Sequence, residues 1–175
     1  LISEQIIIGC KNFEANAQKS LYELTRAKMF LVVQRYVKDY HDAEDVSIEA
    51  YVKVFNNFDK YRGDGAPEAW IRRIFVNECL MFLRKRKNIF FEPIPEYSET
   101  IQFTSHEKFD YEEILKLVDM LPIGCRTVFN LYVFEELQHN EIAKMLDISV
   151  STSKSQYQLA RNKLLKLINK KSDNE

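Results

Sequence analysis

The chain has 175 residues, 29% of them charged, and a formal net charge of −1. That length suits one ordinary domain or two small ones, and with only 4 Gly and 4 Pro long helices are favoured over a multi-stranded sheet. No apolar run approaches the ~20 residues of a membrane span, and the opening LISEQIIIGCK lacks the basic prefix and long apolar stretch of a signal peptide.

Taken in chain order, helices are predicted over 1–11, 16–38, 43–58 and 66–87, forming a first helical domain over 1–88. The third segment opens on an acidic stripe in which Asp42, Asp45 and Glu49 share one face at i, i+3 and i+7. Acids favour a helix N-terminus for electrostatic reasons alone; three in a stripe also suit a docking face for a basic partner. The run 61–67, with Tyr61, Arg62, Gly63, Asp64 and Gly65 ahead of Pro67, is the strongest loop signal in the chain. Glycine lets backbone approach a ligand closely, and a loop can surround an extruded base better than a helix can. Trp70, Phe55 and Phe58 could stack on unpaired bases, but their helical spacing favours the core.

The fourth segment, WIRRIFVNECLMFLRKRK, places Ile71, Phe75 and Phe82 on one side and Arg73, Asn77 and Arg84 near the opposite one. It can pack by one face and offer charge and an amide by the other; a solvated face ending in cations would look the same. Residues 89–108 hold two prolines, acids and hydroxyls with no clean period, which describes a flexible linker. A second domain over 109–175 comes next, with helices expected over 109–120, 123–134, 139–146 and 151–170.

Its last two helices read as helix-turn-helix. Ile142 and Leu146 share a face, Asp147-Ile148-Ser149 interrupts, and Ser149 or Ser151 can cap the second helix of the pair. Tyr157, Ala160, Leu164 and Leu167 recur at helical spacing, while Ser151, Ser155, Gln158 and Asn162 are expected opposite, flanked by Lys154 and Arg161. Amides and hydroxyls can read base edges in a major groove while cations neutralise phosphate. An ordinary helical hairpin with a solvated face is the plain alternative.

Pooled charge hides this pattern. Residues 138–171 hold seven cations against two acids, and 71–88 hold six against one. Residues 39–50 carry five acids and no Lys or Arg, and 92–113 carry seven acids against Lys108. Two basic patches and two acidic ones suggest two grips on a polyanion beside protein-facing acidic surfaces. Cys10, Cys79 and Cys125 are scattered and expected as buried free thiols of a reducing cytosol. His41, His106 and His139 are equally isolated and expected at the surface or at caps, so no metal, cofactor or small-molecule substrate is expected. No Gly-rich phosphate loop, metal spacing or nucleophile with a base points to an enzyme.

Together these pieces resemble the bacterial RNA polymerase sigma factors of the sigma-70 family, in the extracytoplasmic-function (ECF) group. LYELTRAKMFLVVQRYVKD and HDAEDVSIEAYVKVFNNFDKYR resemble region 2 with its polymerase-binding helix. APEAWIRRIFVNECLMFLRKRK resembles the minus-ten segment, with its Trp-containing start, its Asn and its terminal cationic cluster. LPIGCRTVFNLYVFEELQHNEIAKMLDISVSTSKSQYQLARNKLLKLI is similar to region 4. The resemblance implies an all-α fold: a region 2 bundle and a region 4 helix-turn-helix bundle joined by a flexible linker. It implies that Asp42, Asp45 and Glu49 meet core RNA polymerase. The loop residues Tyr61, Arg62, Gly63 and Asp64, with Asn77, would hold a flipped minus-ten base, and Arg73 and Arg84 the strand backbone. Lys154, Ser155 and Gln158 would read the minus-thirty-five element, with Thr152, Arg161 and Lys163 on phosphate. A cytoplasmic, non-catalytic initiation factor held by an anti-sigma factor, which can itself be membrane-anchored, is the implied role. A free-standing helix-turn-helix regulator is the alternative.

The departures are specific. The family often has Asp where Met81 stands, Arg where Val76 stands and Gln where Ile48 stands. Gly is common at the positions of Glu136, Asp147 and Ser151, and a basic residue at Leu159.

Overall fold

A computed structural model describes residues 2–86, 91 and 110–172. Eight α-helices and one 3-10 turn, with no strand, account for the regular structure of the described residues. The chain separates into two compact units, 1–86 and 87–175. The linker expected over 89–108 falls, Phe91 apart, outside the described residues.

In the first unit, α1 (Glu4–Lys11) starts where the Ser3 side chain accepts the Ile6 N–H. It turns back against α2 (Ala15–Gln34) through Phe13, whose φ of 59° is left-handed. Gly9 permits the close crossing, since a Cβ there would lie 2.5 Å from that of Ala17. α3 (Tyr40–Asn56) is capped by Asp39, which accepts the Asp42 N–H. A 3-10 turn (Phe58–Lys60) leads into the loop, and Pro67 opens α4 (Pro67–Lys85), where its missing N–H costs nothing. α2, α3 and α4 pack on one another in all three pairings. Their interface is Leu21, Met29 and Val33 of α2, Val46, Ala50 and Val54 of α3, and Ile71, Phe75 and Cys79 of α4. Burial of each large side chain in such a core contributes about 1.5–3 kcal/mol. Thr25 and Tyr51 join their hydroxyls at 2.7 Å inside it, and burial pushes the Tyr51 phenol up to about 12.

The second unit opens with α5 (Tyr111–Asp119) on a reciprocal cap in which Asp110 and Glu113 each accept the other's N–H. α6 (Ile123–Val133) comes next, and its Arg126 is buried, donating Nη1 to the Asp119 carbonyl at 3.0 Å and closing the end of α5. That desolvation lowers the Arg126 pKa. α7 (His139–Leu146) has its own reciprocal cap, Gln138 with Glu141, and ends at Asp147 in the left-handed conformation. α8 (Val150–Ser172) starts where the Ser149 Oγ accepts the Thr152 N–H at 2.9 Å, so Ser149 rather than Ser151 is the cap. α6, α7 and α8 pack on one another in all three pairings, and a core of Val118, Leu121, Cys125, Ala160 and Leu164 joins α5 and the turn after it to α6 and α8. All three cysteines are buried and none is in a disulfide.

Candidate nucleic-acid and protein interfaces

On α4 the packing face is taken by Ile71, Phe75, Cys79 and Leu83, so the residues four apart on the other side must face out. Arg73, Asn77, Met81 and Arg84 are all exposed, and the cations of this stripe stand where the sequence places them. The adjoining loop is tied rather than open. Tyr61 is only 5% exposed, its ring lies against Phe58 and Trp70, and its hydroxyl donates to the Gly65 carbonyl at 2.7 Å. Its ring is therefore unavailable for stacking on a base; it shapes the loop that presents Arg62, Gly63 and Asp64, all exposed. Gly63 and Gly65 have φ of 86° and 91°, and no atom lies near the space a Cβ would fill, so these glycines serve backbone conformation rather than packing. Trp70 is half-buried against Phe58, a core neighbour as its spacing implies.

Of the acidic stripe on α3, Asp45 and Glu49 are exposed. Asp42 is not free: it takes both terminal nitrogens of Arg86 at 2.7 Å each, and Arg86 also lies over the Phe82 ring. One acid and one cation counted as surface charge thus neutralise each other across 44 residues of chain. Beside Asp45 a groove of roughly 740 Å³ opens between α2 and α3, lined among others by Tyr22, Phe30, Tyr40, Ile48 and Val52 and rimmed by Arg26 and Glu44. Ile48 and Val52 are 63% and 52% exposed, so the groove has a wide apolar lip. Sequence reasoning named the acids here but missed this apolar surface. The signal was present: α3 already fills its buried stripe with Ala43, Val46, Ala50 and Val54, leaving Ile48 and Val52 surplus.

In α8, Lys154 and Arg161 are exposed, and Thr152, Ser155, Gln158 and Lys163 are half-buried. The hydroxyls at its start bond among themselves: Ser149 Oγ lies 2.7 Å from that of Ser151 and 2.8 Å from Thr152 Oγ1, and Ser155 donates to the Thr152 carbonyl. The buried stripe is Ser153, Gln156, Ala160 and Leu164; the first two are polar and were not expected there. Each is satisfied from a neighbouring helix, Ser153 by His139 Nδ1 of α7 at 2.9 Å and Gln156 by the Cys125 thiol of α6 at 3.1 Å. Asn162 is a correction. It is 7% exposed, with its carbonyl accepting from Gln158 at 3.3 Å, because the apolar face of α8 is wider than four residues suggested. His139 is not a plain surface residue either: it stacks on Tyr132 at 4.7 Å and meets Tyr157 edge-on. Among the described residues no cluster could hold a metal, and no helix is long and apolar enough to cross a membrane.

The family described as sigma-70 region 2 matches residues 21–89, and that described as sigma-70, region 4 matches residues 111–164. The RNA polymerase sigma factor SigV of Bacillus subtilis is 31% identical over 123 residues, 69% of this chain and 72% of that one. The ECF RNA polymerase sigma factor SigW of the same bacterium is 26% identical, covering 89% of this chain and 91% of its own. Among solved structures, the sigma factor RpoE in complex with the anti-sigma factor NepR from Bartonella quintana is similar in fold. Its TM-score is 0.54 at 21% identity, over 86% of this chain and 96% of that one. With both regions matched in order and a relative of this identity and coverage, the chain belongs to the sigma-70 family of RNA polymerase sigma factors, in its ECF group.

Proposed function

We propose that the chain docks on core RNA polymerase through the α2–α3 face and directs initiation by gripping promoter DNA at two places. Asp45, Glu49 and the apolar groove form the docking face, while Asp42 supports it through Arg86. Arg62, Gly63, Asp64 and Asn77 receive an extruded minus-ten base, with Arg73 and Arg84 on the strand. Lys154, Ser155 and Gln158 read the minus-thirty-five element, and Thr152, Arg161 and Lys163 meet phosphate.

The observation that carries this reading is the pairing, within unit 1, of an acid-rimmed apolar groove with the Arg73–Asn77–Arg84 stripe of α4. A free-standing helix-turn-helix regulator has no use for either. Capture of an unstacked base helps offset a melting cost of a few kcal/mol. Two modest sites held on one polymerase gain effective concentration. The chain works in the cytoplasm without a catalytic step of its own, and an anti-sigma factor that covers the docking groove holds it inactive; RpoE, similar in fold, is itself in complex with the anti-sigma factor NepR.

Run-off sequencing with core polymerase from the same organism tests the function. Transcripts should start downstream of one shared two-part motif and vanish without the chain. Starts indifferent to its presence, together with failure to bind core polymerase, would reject the reading.

A further inference from the structure

One ion pair joins the docking helix to the base-capturing helix. Lys53 of α3 places Nζ 2.6 Å from Glu78 Oε1 of α4, and Glu78 is buried at 6% exposure. The same amine lies 3.8 Å from the Met81 sulfur, one turn further along α4. A carboxylate at either position would therefore reach Lys53, whereas a thioether is only a weak acceptor for an ammonium group. The acid of this chain stands at 78, three residues before Met81 and immediately after Asn77.

The geometry points to Glu78 as a positioning residue for base capture, its buried carboxylate holding Lys53 and so tying α4 to α3 beside Asn77. The pair ties α3 to α4 one residue along the helix from Asn77. A buried carboxylate must keep a partner, so it holds Lys53 inward. Asn77 is the residue next to Glu78 along α4, so the tie limits how far the exposed Asn77 can turn from the direction that packing gives it. Small rotations matter here, because misplacing a group by about 1 Å can cost on the order of a hundredfold in a positioned step. This inference rests on the sigma-factor reading.

The test uses the full chain with core polymerase and a promoter carrying 2-aminopurine at the extruded minus-ten base. Glu78→Leu should bind core polymerase as the native chain does yet lose about tenfold or more in the rate of the fluorescence rise. Adding Met81→Asp to it should restore most of that rate by returning an acid to Lys53. Melting curves show whether each variant is folded at the assay temperature. Should Glu78→Leu be unfolded, Lys53→Met with Glu78→Leu removes both charges and leaves no buried ion; it should fold and still capture the base slowly. A native rate from either of these variants overturns the proposal, as does a folded Glu78→Leu/Met81→Asp that stays slow. Absence of promoter-specific transcription by the native chain would instead overturn the sigma-factor reading itself.

Discussion

Glu136 and Asp147 hold φ of 55° and 56°, a left-handed backbone that crowds Cβ against the adjoining carbonyl. Both stand where the family commonly has Gly, so the departures keep the turn and accept its strain. Asp tolerates this conformation better than Glu, because its short side chain can bond locally to the backbone. Glu136→Gly should therefore raise stability by about 1 kcal/mol and Asp147→Gly by less. The check is the urea midpoint of amide signals from α6 to α8, which should rise for both at unchanged slope; a fall for Glu136→Gly would refute the strain argument. Here the resemblance exposed the odd residues, and the dihedral angles supplied the reason that Gly is common there. Phe13, at φ 59°, lies in the break expected between residues 11 and 16, but Asn12 is the residue there whose chemistry favours a left-handed turn, so nothing singled out Phe13.

At the scale of elements, α8 is held by polar as well as apolar contacts. Periodicity among Ala160 and Leu164 fixes the buried face, and extending that period backward reaches Gln156 and Ser153. Reading apolar residues alone missed them, because a buried amide or hydroxyl is permitted only by a partner on another helix. His139 is such a partner, and its pKa is lowered, first by burial and then by Lys154. Tyr132, Tyr157 and Ser153 face it from α6 and α8. Because the folded pKa lies below the ordinary 6.5, the unfolded chain takes the proton first as pH falls. The contribution of His139 to stability is thus whole above about 6.5 and is lost as pH drops from there toward the folded value. NMR titration of the ring should give a midpoint below 6.5, moved upward but not fully restored by Lys154→Gln. A native midpoint at or above 6.5 would contradict the burial argument.

At the scale of the whole molecule, a net charge of −1 argues for weak binding of DNA by the free chain. Filter binding of promoter fragments by the chain alone should show little sequence preference at physiological salt, and preference should emerge with core polymerase. In that complex Arg161→Ala should weaken all promoters alike and reduce the salt slope by about 1, whereas Gln158→Ala should relax choice at one minus-thirty-five position. Equal effects of both on every promoter would deny Gln158 a reading role. Helix order, a cap at Ser149 or Ser151, and the outward faces of Arg73, Asn77, Lys154 and Arg161 were legible in the sequence. They depend on neighbours three or four residues away, which a linear chain of letters displays. The withdrawal of Asp42 by Arg86, the Lys53–Glu78 tie, the α2–α3 groove and the closure of the loop by Tyr61 were decided only by the tertiary structure. Each depends on which helix lies beside which, and on how each is rotated. Residues 44 and 25 apart in sequence meet only once the core has packed, and hydrophobic periodicity carries no record of those meetings.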